Sequence, residues 1–320
     1  MEISPANSTP ARIASWKSGA IAARTASLNF AAPLPLALWH LTSLDAPTVA
    51  VVWALAFAWA AGISLPLWLP ILLALVAWAV YIADRLLDAR SAHHTHQLHR
   101  LRLRHHFHWR HRQIFLPLAV ISACAATVLV LTFMPVGALQ RNTVLAVAAL
   151  AYFSGVHVPR RLLPFPRRNI IPKEPIVAIL FTTACVLPTL SRTPHQSAFE
   201  LWPLILPALF FTLLAWLNCH AIESWEHWES AGAPSHSSVF AHTVALAVTG
   251  LILSLALAAF QPRSAALVAA GTASALFLAL LDRQRSRISP LALRAAADLA
   301  LLTPAFFTPI LLAARILPFS

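Results

Sequence analysis

Trp78-Ala79-Val80-Tyr81-Ile82-Ala83-Asp84-Arg85-Leu86-Leu87-Asp88 decides how this chain reads. Two aspartates four residues apart close a long apolar run, and residues at i and i+4 share one helix face. Acidic side chains at the mouth of a membrane helix are costly and mark function. A partial echo comes much later, in Asn218-Cys219-His220-Ala221-Ile222-Glu223-Ser224-Trp225-Glu226. Two acidic pairs on two distant membrane helices point to a divalent-metal site for a phosphorylated ligand.

Around these stretches the chain is strongly apolar. Of its 320 residues 59% are hydrophobic and 11% charged, and the mean hydropathy is +0.71. That composition excludes a soluble domain and defines an integral membrane protein. The net charge of +12 fits basic loops that set topology and meet anionic headgroups, so no nucleic-acid partner is expected. Cys124, Cys185 and Cys219 are scattered, with no disulfide framework and no CxxC. Arg12, Lys17 and Arg24 are followed by no compact apolar core before Pro33 and Pro35, so no cleaved signal peptide is read.

Residues 1–26 read as a polar cytoplasmic or interfacial tail, and 27–320 as one transmembrane helical domain. Residues 27–44 form an apolar segment broken by two prolines, expected to lie in the interface or re-enter the membrane. Asp45-Ala46-Pro47 reads as a helix start, with Asp at the cap and Pro in the first turn. Nine spans are expected, at about 46–62, 66–88, 112–133, 141–158, 174–190, 199–222, 238–259, 264–281 and 292–316. With the N-terminus in the cytoplasm, 19 of the 23 Lys and Arg fall on that side. Only Arg141, Arg192, Arg263 and Arg315 lie opposite, in agreement with the positive-inside rule. Both acidic motifs then face the cytoplasm, and the membrane expected is the bacterial inner one.

Mg²⁺ explains paired carboxylates. It takes hard oxygen ligands, keeps waters, and bridges one or two carboxylates to substrate phosphates. Asp84, Asp88, Glu223 and Glu226 are the candidate ligands and catalytic residues, with Glu229 next on the same acidic face. The segment 223–237 carries no Lys or Arg, an acidic island on a basic surface. A diphosphate also needs direct cations. Arg160, Arg161, Arg167, Arg168 and Lys173 supply them between the fourth and fifth spans, and Arg suits bidentate phosphate contacts. Asp298, inside the last span, is expected to pair with Arg294 one turn earlier, or else to line the same cavity. His93 to Arg112 holds eight histidines and five arginines. No ligand spacing fixes a metal there, and a basic, pH-sensitive amphipathic loop is expected. His40, His157 and His242 read as interfacial or packed.

On these residues the chain resembles the UbiA superfamily of intramembrane prenyltransferases. Those proteins are nine-helix bundles with two Asp-rich motifs, of the form Asn-Asp-x-x-Asp-x-x-x-Asp, on the second and sixth helices. Asp84 and Asp88 match the later two acids of the first motif, where Val80 and Tyr81 replace its Asn and first Asp. In the second, Asn218 matches the Asn and Glu226 the final acid; Cys219 and Ile222 replace two acids, and Glu223 is displaced by one position. Tyr152, followed by Arg160 and Arg161, resembles the family's Tyr and basic segment. Lys173-Glu174-Pro175 is similar to the start of its fifth helix.

The resemblance implies an enzyme that moves a prenyl group from a prenyl diphosphate to an aromatic or other membrane-soluble acceptor, with Mg²⁺ as cofactor. Asp84, Asp88, Glu223 and Glu226 would hold metal; Asn218, Tyr152, Arg160, Arg161 and Lys173 would contact substrate. The missing motif acids motivate an alternative, an inactive UbiA-like bundle that binds a lipid or partner. The intramembrane acids and the late prolines motivate a third, a transporter.

Overall fold

The computed structural model describes residues 32–94, 102–157, 173–192, 202–231 and 238–306. Arg160, Arg161, Arg167 and Arg168, the tail 1–26 and the end of the last expected span lie outside them, as does the side chain of Glu229.

Among the described residues these helices run in sequence. These are α1 (Leu34–Leu41), α2 (Asp45–Ala60), α3 (Trp68–His94), α4 (Leu103–Arg110), α5 (Arg112–Phe133) and α6 (Val136–His157). They continue with α7 (Lys173–Leu190), α8 (Trp202–Ala231), α9 (Val239–Ala258), α10 (Pro262–Gln284), the 3-10 turn Arg285–Arg287 and α11 (Pro290–Ala300). Six of the described helices are long and apolar enough to cross a membrane, namely α3, α5, α7, α8, α9 and α10. The bent pair α1–α2 makes up to seven if it counts as one broken span. The architecture is therefore a polytopic helical bundle.

The helix α2 sits at its centre, against α3, α7, α8, α10 and α11. It is apolar all round, and a helix of that kind must be buried. Val49, Ala50, Trp53, Ala54, Phe57 and Ala58 are all buried. Trp53 stacks on Phe211 of α8 with ring centroids 3.8 Å apart, and its indole N–H donates to the Leu301 carbonyl at 2.8 Å. By contrast α5 exposes Ile114, Leu116, Val120, Ile121, Val128 and Leu131. A one-sided apolar face of that size fits a lipid surface.

The hairpin α9–α10 is the closest helix pair. Its turn ends in Pro262 at the first helical position, where a missing N–H costs nothing. Gly250 and Gly271 let the ring of Phe210 enter between the two helices. A Cβ at Gly250 would stand 2.6 Å from that ring, and one at Gly271 2.7 Å from it. Pro207 inside α8 leaves the carbonyl of Pro203 without its intrahelical donor. Ser264 of α10 supplies one instead, its hydroxyl donating to that carbonyl at 2.8 Å.

Three local expectations are corrected. Asp45 is the first residue of α2 and not its cap; its Oδ1 accepts from the N–H of Ala46 at 2.9 Å. The stretch expected as a loop at 93–112 contains α4, and His105 and His108 are buried. Trp225, in the acidic stretch that ends the second motif and was expected at the interface if that stretch is an exposed turn, is buried and donates to Asp282 Oδ1 at 2.7 Å, tying α8 to α10.

Ser264→Ala removes a donor to a proline-freed carbonyl and is expected to destabilise the protein by about 1 kcal/mol. Gly271→Val, which displaces Phe210, is expected to lower Tm further. Thermal unfolding in detergent measures both; equal Tm for wild type and Gly271→Val would refute the wedge.

Candidate functional site

The charged residues gather at one end of the bundle, and the turn between α1 and α2 organises them. Those helices meet at 88°. Leu44 N–H bonds to the Trp39 carbonyl and Ser43 N–H to the His40 carbonyl, both at 3.1 Å. That pattern is the Schellman helix stop, which needs a left-handed residue, and Ser43 takes that place with φ 59°. A side chain is retained there because it is used. Ser43 Oγ accepts from Arg85 Nε at 2.7 Å and stands 3.3 Å from His108 Nε2. Trp78 of α3 donates to the Thr42 carbonyl at 2.9 Å.

His108 Nδ1 lies 2.8 Å from the Arg104 carbonyl, so the proton belongs on Nδ1. The neutral ring then accepts from Ser43 at Nε2. Burial pushes its pKa down to about 4; the carbonyl contact opposes this and the Arg85 charge adds to it. Burial also lowers His105, against the pull of Asp88, whose Oδ2 is 3.5 Å away.

Asp84 and Asp88 share one electrostatic neighbour, and Glu223 has another. Tyr152 of α6 lies within Coulombic reach of Asp84, Glu174, Cys219 and Asp88. Cys219 of α8 lies within reach of Asp298, Glu174, Arg104 and Glu223. Side chains of α3, α6, α7, α8 and α11 are thus linked by electrostatic range through Tyr152 and Cys219. Asp84 and Glu223 are half-buried, and Asp88 is exposed at the rim of the charged end. Lys173 is exposed at the start of α7.

Glu226 bridges two arginines. One carboxylate oxygen pairs with Arg102 ahead of α4, and the other lies 3.0 Å from Arg294 Nε of α11. Burial lowers the Arg102 pKa, and the charge of Glu226 restores much of it. Arg294, expected to pair with Asp298, reaches Glu226 on α8. Asp298 instead accepts from Asn218 Nδ2 at 3.1 Å and lies 3.4 Å from His40 Nδ1. Asp45 Oδ2 is 2.8 Å from the same nitrogen.

His40, Asp45, Arg85, Arg102, Arg104 and His108 are site residues that sequence reasoning did not single out. His40 and Asp45 meet only because a left-handed residue reverses the chain between them, and no periodicity announces such a turn. The alternation of His and Arg in Arg104-His105-His106-Phe107-His108 was the one usable signal for α4. Carboxylates at the rim suit a hard cation, and the arginines beside them suit phosphate.

Compared with protein-family models, with curated proteins and with solved structures, the chain matches none.

The His108 geometry fixes a sign for pH dependence. An unfolded imidazole titrates near 6.5, and His108 in the folded protein near 4. Between those values the unfolded chain binds more protons, so stability is complete above about pH 6.5 and falls as pH drops toward 4. The loss is expected to reach roughly 2–3 kcal/mol, with His105 adding in the same direction. Unfolding measured from about pH 7.5 down to 5 should show a falling Tm, with a shallower fall in His108→Gln. Parallel slopes in the two proteins would sink this assignment.

Proposed function

We propose that this protein is a membrane-embedded prenyltransferase of UbiA type, moving a prenyl group from a prenyl diphosphate to an aromatic or lipid acceptor. The observation that supports this reading is that Asp84 and Asp88 of α3 lie within electrostatic range of Tyr152, and Glu223 of α8 within range of Cys219, itself in range of Tyr152. On this reading acids from opposite halves of the chain would share one cation, at the charged end of an apolar bundle that can house an isoprenoid tail.

The donor set fits Mg²⁺: half-buried and exposed carboxylates with room for retained waters. Asp84, Asp88 and Glu223 would hold it, and bound Mg²⁺ neutralises charge on the leaving diphosphate. Glu226 acts differently from its expected role as a ligand. It holds Arg102 and Arg294 side by side at the mouth, where guanidinium groups can receive phosphate oxygens. Arg104, within reach of Cys219 and Arg85, adds positive charge. Lys173, exposed at the start of α7, would contact the diphosphate, and Asn218 and Tyr152 the substrate; Arg160 and Arg161, which the resemblance also implies, lie outside the described residues. Departure of the diphosphate leaves an allylic cation, which Tyr152 and the indoles of the bundle stabilise by their ring faces. On this reading the charged end is cytoplasmic and the membrane is the bacterial inner one.

A second reading, a non-catalytic lipid-binding bundle, is favoured by the two arginines that already occupy Glu226. One experiment separates the two. Purified protein in nanodiscs is incubated with labelled farnesyl or geranylgeranyl diphosphate, with and without Mg²⁺. Mg²⁺-dependent binding is expected, weakened at least about ten-fold by Asp84→Asn with Asp88→Asn, close to 1.4 kcal/mol. Diphosphate release on adding a phenolic acceptor supports transfer. Binding without release supports the second reading, and the absence of binding overturns both.

A further inference from the structure

We propose that His40, Asp45, Asp298 and Asn218 form a binding site for one divalent transition-metal ion of the Mn²⁺ to Zn²⁺ class, deeper in the bundle than the rim acids. Neither the diphosphate reading nor the rim acids are needed for it.

The three ionisable ligands come from separate elements: His40 from the last turn of α1, Asp45 from the start of α2, and Asp298 from α11. One ligand atom of each lies within 4.8 Å of the others. The separations from His40 Nδ1 are 2.8 Å to Asp45 Oδ2 and 3.4 Å to Asp298 Oδ2. Donors around a tetrahedral ion with bonds of about 2.0–2.2 Å stand roughly 3.3–3.5 Å apart. The set is close to that size, slightly contracted on one edge.

Hydrogen bonding does not explain the ring's placement. His40 is 0% exposed, yet neither ring nitrogen makes an aligned hydrogen bond, although Nδ1 is near two carboxylates. A lone pair on Nδ1 sharing an ion with those oxygens needs no such alignment.

The outer groups are arranged as metal sites require. Each carboxylate has its other oxygen held by a neutral donor, Asp45 Oδ1 by Ala46 N–H at 2.9 Å and Asp298 Oδ1 by Asn218 Nδ2 at 3.1 Å. Such donors orient ligating carboxylates and leave one oxygen of each to the ion. Asn218 supplies the second, independent sign. Its side chain is 5% exposed, and its amide oxygen is buried with no hydrogen-bond partner. A buried amide oxygen without a partner, on a side chain already bonded to Asp298, is available as acceptor for an ion-bound water or as a further ligand.

Charge and ligand type narrow the ion. Two carboxylates and a neutral imidazole carry −2, which a divalent ion cancels. Other groups facing the cluster are Arg85, Tyr81 and Cys219. The ligand set itself is nitrogen and oxygen, which disfavours Cu⁺, and an imidazole ligand favours Mn²⁺ to Zn²⁺ over Mg²⁺ or Ca²⁺. Such an ion would clamp the α1–α2 turn to α11 and α8. Asn218 lies five residues before Glu223, about 7.5 Å along α8, so the site is distinct from the rim.

The full chain in detergent is stripped with EDTA, reloaded with Zn²⁺ or Mn²⁺, desalted and assayed for metal per chain. Wild type is expected to keep about one Zn²⁺, and so is the rim double variant Asp84→Asn with Asp88→Asn. Asp298→Asn and His40→Gln are expected to lose it, with affinity down at least ten-fold. X-ray absorption of the Zn²⁺-loaded wild type should show one imidazole with oxygen ligands, which guards against variants that misfold. No retained Zn²⁺ in wild type overturns the site. Zn²⁺ lost only in the rim variant, or a first shell lacking imidazole, does the same.

Discussion

A guanidinium 3% exposed inside an apolar bundle sets the terms for everything at the charged end. That residue is Arg85. Burying it unanswered would cost several kcal/mol. Its Nε donates to Ser43 Oγ, its guanidinium lies 5.5 Å from the Tyr81 ring centre, and the charges of Asp45 and Asp84 lie within reach. Answering Arg85 therefore fixes the rotamer of Ser43, the left-handed turn that carries it, and the 88° break between α1 and α2. The break in turn brings His40 back beside Asp45. One buried cation on α3 thus determines where two acids and a histidine from other elements can stand.

The same logic spreads outward through shared partners. His108 meets Ser43 and so docks α4 under the α1–α2 turn. Arg102, just before α4, meets Glu226 on α8, and Glu226 meets Arg294 on α11. Asp282 closes the far side by receiving Trp225 and Arg285. Exposed ion pairs contribute little, but these are largely withdrawn from water, where a missing partner is expensive. In its interior the bundle is held by shape instead: Phe210 between two glycines, and Trp53 stacked on Phe211. Rigid packing there contrasts with the linked polar network at the charged end.

Much of this was legible in the sequence, and the part that was not has a physical cause. Long apolar runs announce lipid-crossing helices whatever their neighbours, so α3, α5, α7, α8, α9 and α10 fell close to where hydropathy put them. Nine spans were expected, and six or seven meet the length and apolarity of a crossing. The difference lies in short or polar helices: α11 is 11 residues long, and α6 carries Gln140, Arg141 and Asn142. The acids of α3 and α8 were legible because helical spacing puts them on one face. Their partners were not. Asp298 and Arg294 are ideally spaced for each other, yet Glu226 and His40 take them, because tertiary neighbours offer better burial than an i, i+4 contact. His108 was legible only as a basic residue, and the structure makes it neutral and buried.

Two sets of acids now stand at different depths, and their surroundings ask different things of them. At the rim, Asp88 faces His105 at 3.5 Å and Glu226 is met by arginines. The arginines compensate the charge of Glu226, while Asp88 is exposed to water, so the rim can trade partners at modest cost. Below it, Asp45 and Asp298 are held by neutral donors, the N–H of Ala46 and the amide of Asn218. Those donors fix direction without cancelling charge. Arg85 offsets only one of the two negative charges, so the remainder must be met by a proton on His40 or by an ion. The choice between proton and ion turns on alignment: a protonated imidazole gains most from a straight N–H···O line, and His40 Nδ1 offers none. The deeper acids are thus built to hold a cation in place, and the rim acids to exchange one.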